Sequence, residues 1–441
     1  MLSSSAASFR LLACAPLLLV LAGCAGSPPR EPLAAWIDRS SVPLAAAAPD
    51  FAPFAPALDG VRVIGLGEAT HGQRESFERK RELTMHLIAQ HGVRLVAYEA
   101  SATRALACDA YVQGESDDLD AAMKGFGMLI WSIEENAQLL RDLRAWNARA
   151  RPEERVRFVG IDVQDPGAAA ARIEELAAEE PELGAHAQAI AERLNPAVQK
   201  LWSGDNADYL ALLAEVRGLA ERIESWSAAD ASRPRELARR AQELRWAVEA
   251  FFSPGGRDRA MAEMLLAALV EAGPAARAVL WAHNGHVQRG PLRYLGSEDL
   301  AMGGHLGAAL GAQYYALGFL FGEGEFQAND RDAQGQWGFR RYAVAAPPQG
   351  ALEEPFVAHG RGDLLIDLRG APRDGTVGAW LDAGHGQRWY GGYNIAANYA
   401  ELARDTKTLL PTFPRVDFDG LCFLARTRAA TPRGLRVLDS P

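Results

Sequence analysis

The sequence predicts an α/β fold in which a mainly parallel central sheet is flanked by helices and interrupted by an inserted, all-helical subdomain. Three observations carry that expectation. Short apolar runs alternate with longer segments of helical apolar spacing, the pattern of strands that return through helices to a parallel sheet. From about 166 to 256 the composition shifts to Ala, Leu, Glu and Arg without any strand-like run. After Ala308 the chain turns β-rich again.

Taken in order, the first strand falls at 61–66, Val61-Arg62-Val63-Ile64-Gly65-Leu66. A helix follows over about 74–90, where Phe77, Lys80, Leu83, Leu87 and Ile88 recur at three- and four-residue spacing and share one face. Gly92 ends it, and the second strand begins at once with Val93-Arg94-Leu95-Val96-Ala97-Tyr98. A helix near 132–149 carries Ile133, Leu139, Leu140, Leu143 and Trp146, before Pro152 and a third strand at 156–161. Within 166–256, Leu176, Ile190, Leu194, Leu210, Leu213, Val216, Leu219 and Ile223 keep helical periods, and Pro181 and Pro196 punctuate them. This subdomain either caps the cleft or buttresses a sheet face, and both readings stand open. Ser253-Pro254-Gly255-Gly256 closes it, a helix covers 257–272, and the fourth strand is Ala278-Val279-Leu280-Trp281. Later strands are expected at 314–321, 338–344, 364–368 and 421–426.

Residues 1–24 read as a signal peptide. The apolar stretch at 11–21 is too short for a comfortable membrane span, and it leads to Leu21-Ala22-Gly23-Cys24. A cysteine directly after Leu-Ala-Gly resembles a bacterial lipobox. That implies cleavage before Cys24, lipidation of its thiol, and a periplasm-facing protein held to the cell envelope by that lipid alone. Residues 25–50, which include Ser27-Pro28-Pro29-Arg30-Glu31-Pro32, are expected to form a tether, and 51–441 the folded domain. Cys108 and Cys422 lack metal-ligand spacing; they pair as a disulfide or stand as two buried thiols. A net charge of -10 argues against a nucleic-acid partner.

The four strand ends carry the chemistry. The first runs into Glu68-Ala69-Thr70-His71-Gly72, the second stops at Glu99, the third at Asp162, and the fourth opens into His283-Asn284-Gly285-His286. Ligands of open α/β sheets bind outside the carboxyl ends of the parallel strands, so these groups are expected to meet in one cleft. The sequence has no Gly-x-Ser-x-Gly elbow, His-Glu-x-x-His or glycine-rich phosphate loop, which leaves attack by an activated water. His71 suits the base, with Glu68 to orient it. His283 and His286 fit a second acid/base or oxyanion donors. Glu99 and Asp162 either support the site or cap the following helices. Lys80 and Arg74, on the helix after His71, each either point a cation into the cleft or are solvated. The same cluster could hold a divalent metal, although no spacing demands one.

Gly65-Leu66-Gly67-Glu68-Ala69-Thr70-His71-Gly72, with Glu75 and Lys80 ahead of Leu83, resembles the opening signature of the erythromycin esterase family. Val96-Ala97-Tyr98-Glu99-Ala100, Gly160-Ile161-Asp162, Arg257-Asp258-Arg259-Ala260-Met261-Ala262, Trp281-Ala282-His283-Asn284-Gly285-His286-Val287, Met302-Gly303 and Phe418-Asp419-Gly420-Leu421 with Thr431-Pro432 fall in the family's order. The likeness spans roughly 55–432. It implies a hydrolase without metal or cofactor that opens a macrolide lactone or another small-molecule ester. His71 would be the general base and Glu68 its partner. His283 would be the second essential histidine, with His286 beside it and Glu99 in the same cleft. From their places at the strand ends and on the helix after His71, Arg74, Lys80, Asp162 and Asn284 are expected to bind substrate or support the site. Lys80 falls where some relatives place an Arg, keeping the charge but not the fork, and Met264 stands where many carry Asn. The alternatives are a metal-dependent hydrolase or protease, and a non-catalytic envelope lipoprotein that binds through the same cleft.

Overall fold

In the computed structural model of the chain, residues 32–44, 49–202, 204–229, 235–251, 253–390 and 410–439 are described. The expected signal peptide, Cys24 and the Pro-rich start of the tether lie outside the described residues.

The strands are β1 (Ser41–Pro43), β2 (Val63–Leu66), β3 (Leu95–Ser101), β4 (Arg157–Asp162), β5 (Ala278–Trp281), β6 (Tyr314–Arg331), β7 (Trp337–Val344), β8 (Leu364–Asp367), β9 (His385–Gln387), β10 (Leu410–Thr412) and β11 (Gly420–Thr427). Nine of them form one sheet in the order β1-β8-β11-β6-β2-β5-β3-β4, with β7 paired to β6, while β9 and β10 form a separate pair. The pairings from β11 through β4 are parallel, and those of β1, β7 and β8 are antiparallel. β2, β3 and β5 are buried throughout, which is why they read as unbroken apolar runs rather than as alternating ones. Their period-two alternation splits the core. Ile64, Leu66, Val96, Tyr98, Val279 and Trp281 belong to one face, and Val63, Leu95, Ala97, Ala278 and Leu280 to the other.

Before the sheet lies α1 (Leu33–Ser40), whose Trp36 and Ile37 are buried in the core. β1 pairs with β8 directly after it. The tether expected over 25–50 is therefore corrected: residues 33–43 belong to the folded body. Two large apolar side chains were enough to dock a segment that its Pro and Ala content made look loose. Helix α2 (Arg74–His91) ends on Gly92 at φ 65, the left-handed conformation that glycine takes without steric cost. Two short helices escaped the sequence pattern, α3 (Leu106–Gln113) and α4 (Leu119–Lys124), ahead of α5 (Glu134–Asn147). Cys108 on α3 and Cys422 on β11 are both buried and unpaired.

Between β4 and β5 the chain makes α6 (Pro166–Leu176), α7 (Pro181–Trp202), α8 (Ala207–Ala228) and α9 (Arg235–Glu249). These pack around a core of their own that includes Ile173, Ile190, Leu194, Tyr209, Val216, Ile223 and Leu244. Helix α10 (Gly256–Ala272) then leads back to the sheet. The seam is polar. Glu243 of α9 accepts from the Thr103 amide at 3.1 Å and the Thr103 hydroxyl at 2.7 Å, with Arg240 at 2.8 Å. Burial pushes the Glu243 carboxyl up to about 7, against the pull of Arg240 and Thr103. A carboxyl raised in this way holds its proton in the folded state after the unfolded chain has lost it. Its contribution is therefore full below the ordinary Glu value and is given up as pH rises to about 7. Hydrogen exchange in α9, corrected for intrinsic rates, is expected to lose protection over that interval, and Glu243→Gln is expected to remove the dependence.

After β5 come α11 (Asn284–Val287) and α12 (Met302–Leu310). β6 was expected to stop near 321 but runs on to Arg331 and pairs with β7 from Gly324 onward. The resulting hairpin rises past the end of β2, and its Gln327 amide donates to the Gly72 carbonyl at 3.1 Å, next to His71 in sequence. Among the described residues, no helix is long and apolar enough to cross a membrane.

Candidate active site

The loop after β2 and the loop after β5 are stitched together at the carboxyl edge of the sheet. The Asn284 amide donates to the Glu68 carbonyl at 2.9 Å. The Asn284 side chain donates to the Phe319 carbonyl at 2.7 Å and accepts from the Phe319 amide at 2.9 Å. A Cβ on Gly67 would come within 2.0 Å of Asn284 Oδ1, so this approach requires glycine. Asn284 thus holds the frame, with both ends of its amide spent on β6.

Within this frame Glu68 is wholly buried and divides its two oxygens. Oε1 lies 2.6 Å from His71 Nδ1, and Oε2 accepts from Lys80 Nζ. Burial alone would raise the Glu68 carboxyl, but Lys80 and His71 outweigh it and hold the group below its usual value. Burial pulls the Lys80 ammonium down despite Glu68. Lys80 Nζ also sits 4.6 Å from the centre of the Trp281 ring, a cation–π contact that helps to keep it charged without water. An ionised carboxylate can only accept, so His71 donates from Nδ1 and its Nε2 lone pair is left for a reacting molecule. The His71 side chain retains about 11% exposure, against 1% for Glu68.

A second cluster lies beside the first. Glu99 Oε2 accepts from the His283 backbone amide at 2.9 Å, and Oε1 accepts from Arg257 Nη2 at 2.9 Å. Arg257 also grips Asp162 with Nε at 3.1 Å and Nη2 at 2.7 Å. Burial would raise the Glu99 carboxyl, yet His286 and Arg257 hold it well below the carboxylate range. His286 Nδ1 lies 2.8 Å from Asp258 Oδ1, which also accepts from the Met302 amide at 2.8 Å. Nε2 of that ring is contested, with Arg257 Nη1 at 3.0 Å and Glu99 Oε1 at 3.4 Å. Burial disfavours charge there, but Asp258 and Glu99 prevail and push His286 up to about 10.

His283 joins the two clusters, its ring centre 5.1 Å from that of His71. Its Nδ1 accepts from the Gly285 amide at 3.1 Å, so in the neutral ring the proton sits on Nε2. Burial and the nearby His71 depress His283 to about 3, which keeps it neutral. Nε2 is buried and has no partner among the described residues. The result is a preformed neutral donor beside the free nitrogen of His71. Trp131 packs edge-on to His71 at 4.7 Å and Trp389 against His283 at 4.7 Å, so aromatic rings wall both histidines.

Glu68, His71, Lys80, Glu99, His283 and His286 are thus linked by contacts, Asp162 joins them through Arg257, and Arg74 is not among them. It bonds Glu78 at 2.9 Å and lies 3.7 Å from Glu135, with 38% of its side chain exposed. Of the two cations on α2, Lys80 turns inward and Arg74 outward. In the sequence, Arg257 and Asp258 stand out only as part of a family motif, not as site residues. One signal was available: an arginine in the first turn of a helix opposes the helix dipole, so some other interaction must hold it there. Among the described residues, no group of three His, Cys, Asp or Glu side chains is arranged to hold a metal ion.

Comparisons with known proteins agree with this architecture. The sequence model described as erythromycin esterase matches residues 88–427, which take in Glu99, Asp162, Arg257, His283 and His286 and begin after Glu68, His71 and Lys80. The chain is 24% identical over 380 residues to an erythromycin esterase type II of Escherichia coli, covering 77% of this chain and 89% of that protein. Among solved structures, a Bacillus cereus protein superposes with a TM-score of 0.74 at 19% identity, covering 91% of this chain and 98% of that one. A succinoglycan biosynthesis protein gives 0.73 at 17%, with the same coverages. A mutant of the erythromycin esterase EreC in its open conformation gives 0.64 at 18%, covering 90% and 98%.

Proposed function

This chain belongs to the erythromycin esterase family, and from that footing we propose that it hydrolyses a carboxylic ester or lactone with water activated at His71. The observation that carries the reading is the pairing of a base with an opposed donor. His71 has Nδ1 committed to Glu68 and Nε2 free, and His283 offers Nε2–H from about one ring's width away. A water at His71 Nε2 attacks the carbonyl carbon and gives up its proton to that nitrogen. Glu68, kept ionised by Lys80, stabilises the imidazolium that forms. His283 Nε2–H donates to the developing oxyanion, and the Gly285 amide on Nδ1 keeps the proton of the neutral ring on that nitrogen. When the tetrahedral intermediate collapses, His71 returns the proton to the departing alkoxide.

The reading needs no metal. Lys80 and Arg257 occupy the carboxylate oxygens of Glu68 and Glu99 that a metal would otherwise use. The test is a panel of simple esters, lactones and erythromycin, with and without chelator. We expect turnover that chelation leaves unchanged. Loss on chelation with recovery on adding zinc or manganese would establish the metallohydrolase instead, and a silent panel would favour a binding protein. Nuclear magnetic resonance is expected to find His283 as the Nε2–H tautomer at neutral and mildly acidic pH.

We also propose that the protein is lipid-anchored through Cys24 and works on the periplasmic side of the envelope. The support is the Leu21-Ala22-Gly23-Cys24 sequence after an apolar stretch. Labelled palmitate is expected to enter the wild-type protein and not Cys24→Ser. Such a location makes a macrolide one candidate among several esters and lactones.

A further inference from the structure

In the hairpin that meets Gly72, apolar and amide side chains alternate along β6. Phe326 and Ala328 of β6 occupy alternate positions in the apolar core, and Phe326 stacks on Tyr342 at 5.3 Å and on Tyr390 at 4.6 Å. The intervening positions are Gln327 and Asn329, and the regular pairing of β6 with β7 places both on the opposite face. They are as buried as the apolar pair, at 1% and 0% exposure. Yet neither nitrogen nor oxygen of either amide has a partner among the described residues. Phe339, the cross-strand partner of Asn329, is buried in the same apolar core, so the two amides are polar insertions in otherwise packed surroundings. Buried amides left without partners cost stability and call for an explanation.

Their position supplies one. The Gln327 amide donates to the Gly72 carbonyl at 3.1 Å, and a Cβ on Gly72 would come within 1.7 Å of the Gln327 carbonyl oxygen. The strand therefore lies flush against the residue that follows His71. Thr70 Oγ1 and Trp131 Nε1 are likewise buried without partners, the first adjoining His71 in sequence and the second on the ring packed against it. Orphaned polar groups thus occur on Thr70 and Trp131, which adjoin His71, and on the strand whose backbone meets Gly72.

We propose that Gln327 and Asn329 form a binding subsite for the hydroxyl groups of a carbohydrate or polyol portion of the substrate. A primary amide offers two donor hydrogens and an acceptor oxygen, which matches hydroxyls that both give and take. Neither side chain is charged, so the pair suits a neutral, hydroxyl-rich group rather than a phosphate or a carboxylate. The inference rests on the esterase reading for its kinetic test but has a binding test of its own.

The kinetic test compares one acyl group carried on glucose with the same acyl group carried on a simple alkanol. Gln327→Leu with Asn329→Leu is expected to lower kcat/KM for the sugar ester by about tenfold or more, chiefly through KM, from the loss of one or two hydrogen bonds. The alkyl ester is expected to stay within about twofold, the ordinary scatter for a residue outside the chemistry. Gln327→Met with Asn329→Ala reads the same ratio should the leucine pair fold poorly. The binding test titrates methyl glucoside and glycerol into the wild-type and variant proteins by calorimetry, and binding is expected only to the former. An equal loss on both esters, or sugar binding that survives the double substitution, would overturn the proposal. A panel without any turnover, alongside sugar binding that the variants abolish, would overturn the esterase reading and leave the subsite standing.

Discussion

Replacing His71 with alanine is expected to remove ester hydrolysis while the protein stays folded. A positioned general base contributes about 10²- to 10⁴-fold to rate, and kcat should fall by that order with little change in KM. The fold should survive for a specific reason. Glu68, the buried charge that His71 contacts, keeps its bond to Lys80 after His71 is gone, so no carboxylate is stranded. His71 also lies at the rim of the core rather than within it. Steady-state rates and thermal unfolding of the purified variant check both halves. Wild-type rates in His71→Ala would end the assignment of the base, and a large drop in melting temperature would mean that the ring is structural.

Lys80→Met should do the opposite, striking the fold as well as the rate. It leaves the Glu68 carboxyl buried with only His71 beside it, and breaking one side of a buried ion pair costs about 3–5 kcal/mol. The pH dependence distinguishes this loss from simple mispacking. In the native protein Glu68 is held below its ordinary value, so its contribution is full above that value and is lost as pH falls through the folded-state value. Without Lys80, burial dominates and the folded carboxyl prefers its proton. The deficit of the variant should then be greatest near neutral pH and shrink on acidification. Denaturant unfolding at two pH values measures it. A deficit of equal size at both would point to lost packing against Trp281 rather than to a stranded charge.

Much of this site was legible because the sheet is parallel. Buried strands leave unbroken apolar runs, and the polar residue that ends each run must stand at the carboxyl edge, which is where Glu68, Glu99, Asp162 and His283 are found. Lys80 was visible for a related reason. A lysine recurring in register with Phe77, Leu83 and Leu87 lies on a face that packs, and only a partner such as Glu68 makes that tolerable. Arg257 and Asp258 were harder to see because their partners are brought to them by the fold. Arg257 reaches back to Glu99 and Asp162, and Asp258 forward to His286 and Met302. The long β6 hairpin was hidden too, since Gln327 and Asn329 interrupt its apolar pattern. The docked segment 33–43 was masked by its neighbours' composition.

The Asp162–Arg257 pair has one more consequence. Asp162 is the last residue of β4, and Arg257 lies in the first turn of α10. Everything between them, the four-helix insertion, leaves the sheet at one side of a salt bridge and returns at the other. Its two ends are pinned together independently of what lies between. A segment closed at its base can be lengthened, shortened or exchanged at little cost in chain entropy. The arrangement is modular at its base: the helices between the two ends can change in length or sequence, provided the Glu243–Thr103 seam is kept, while Glu99 and the histidines at the sheet edge keep their positions.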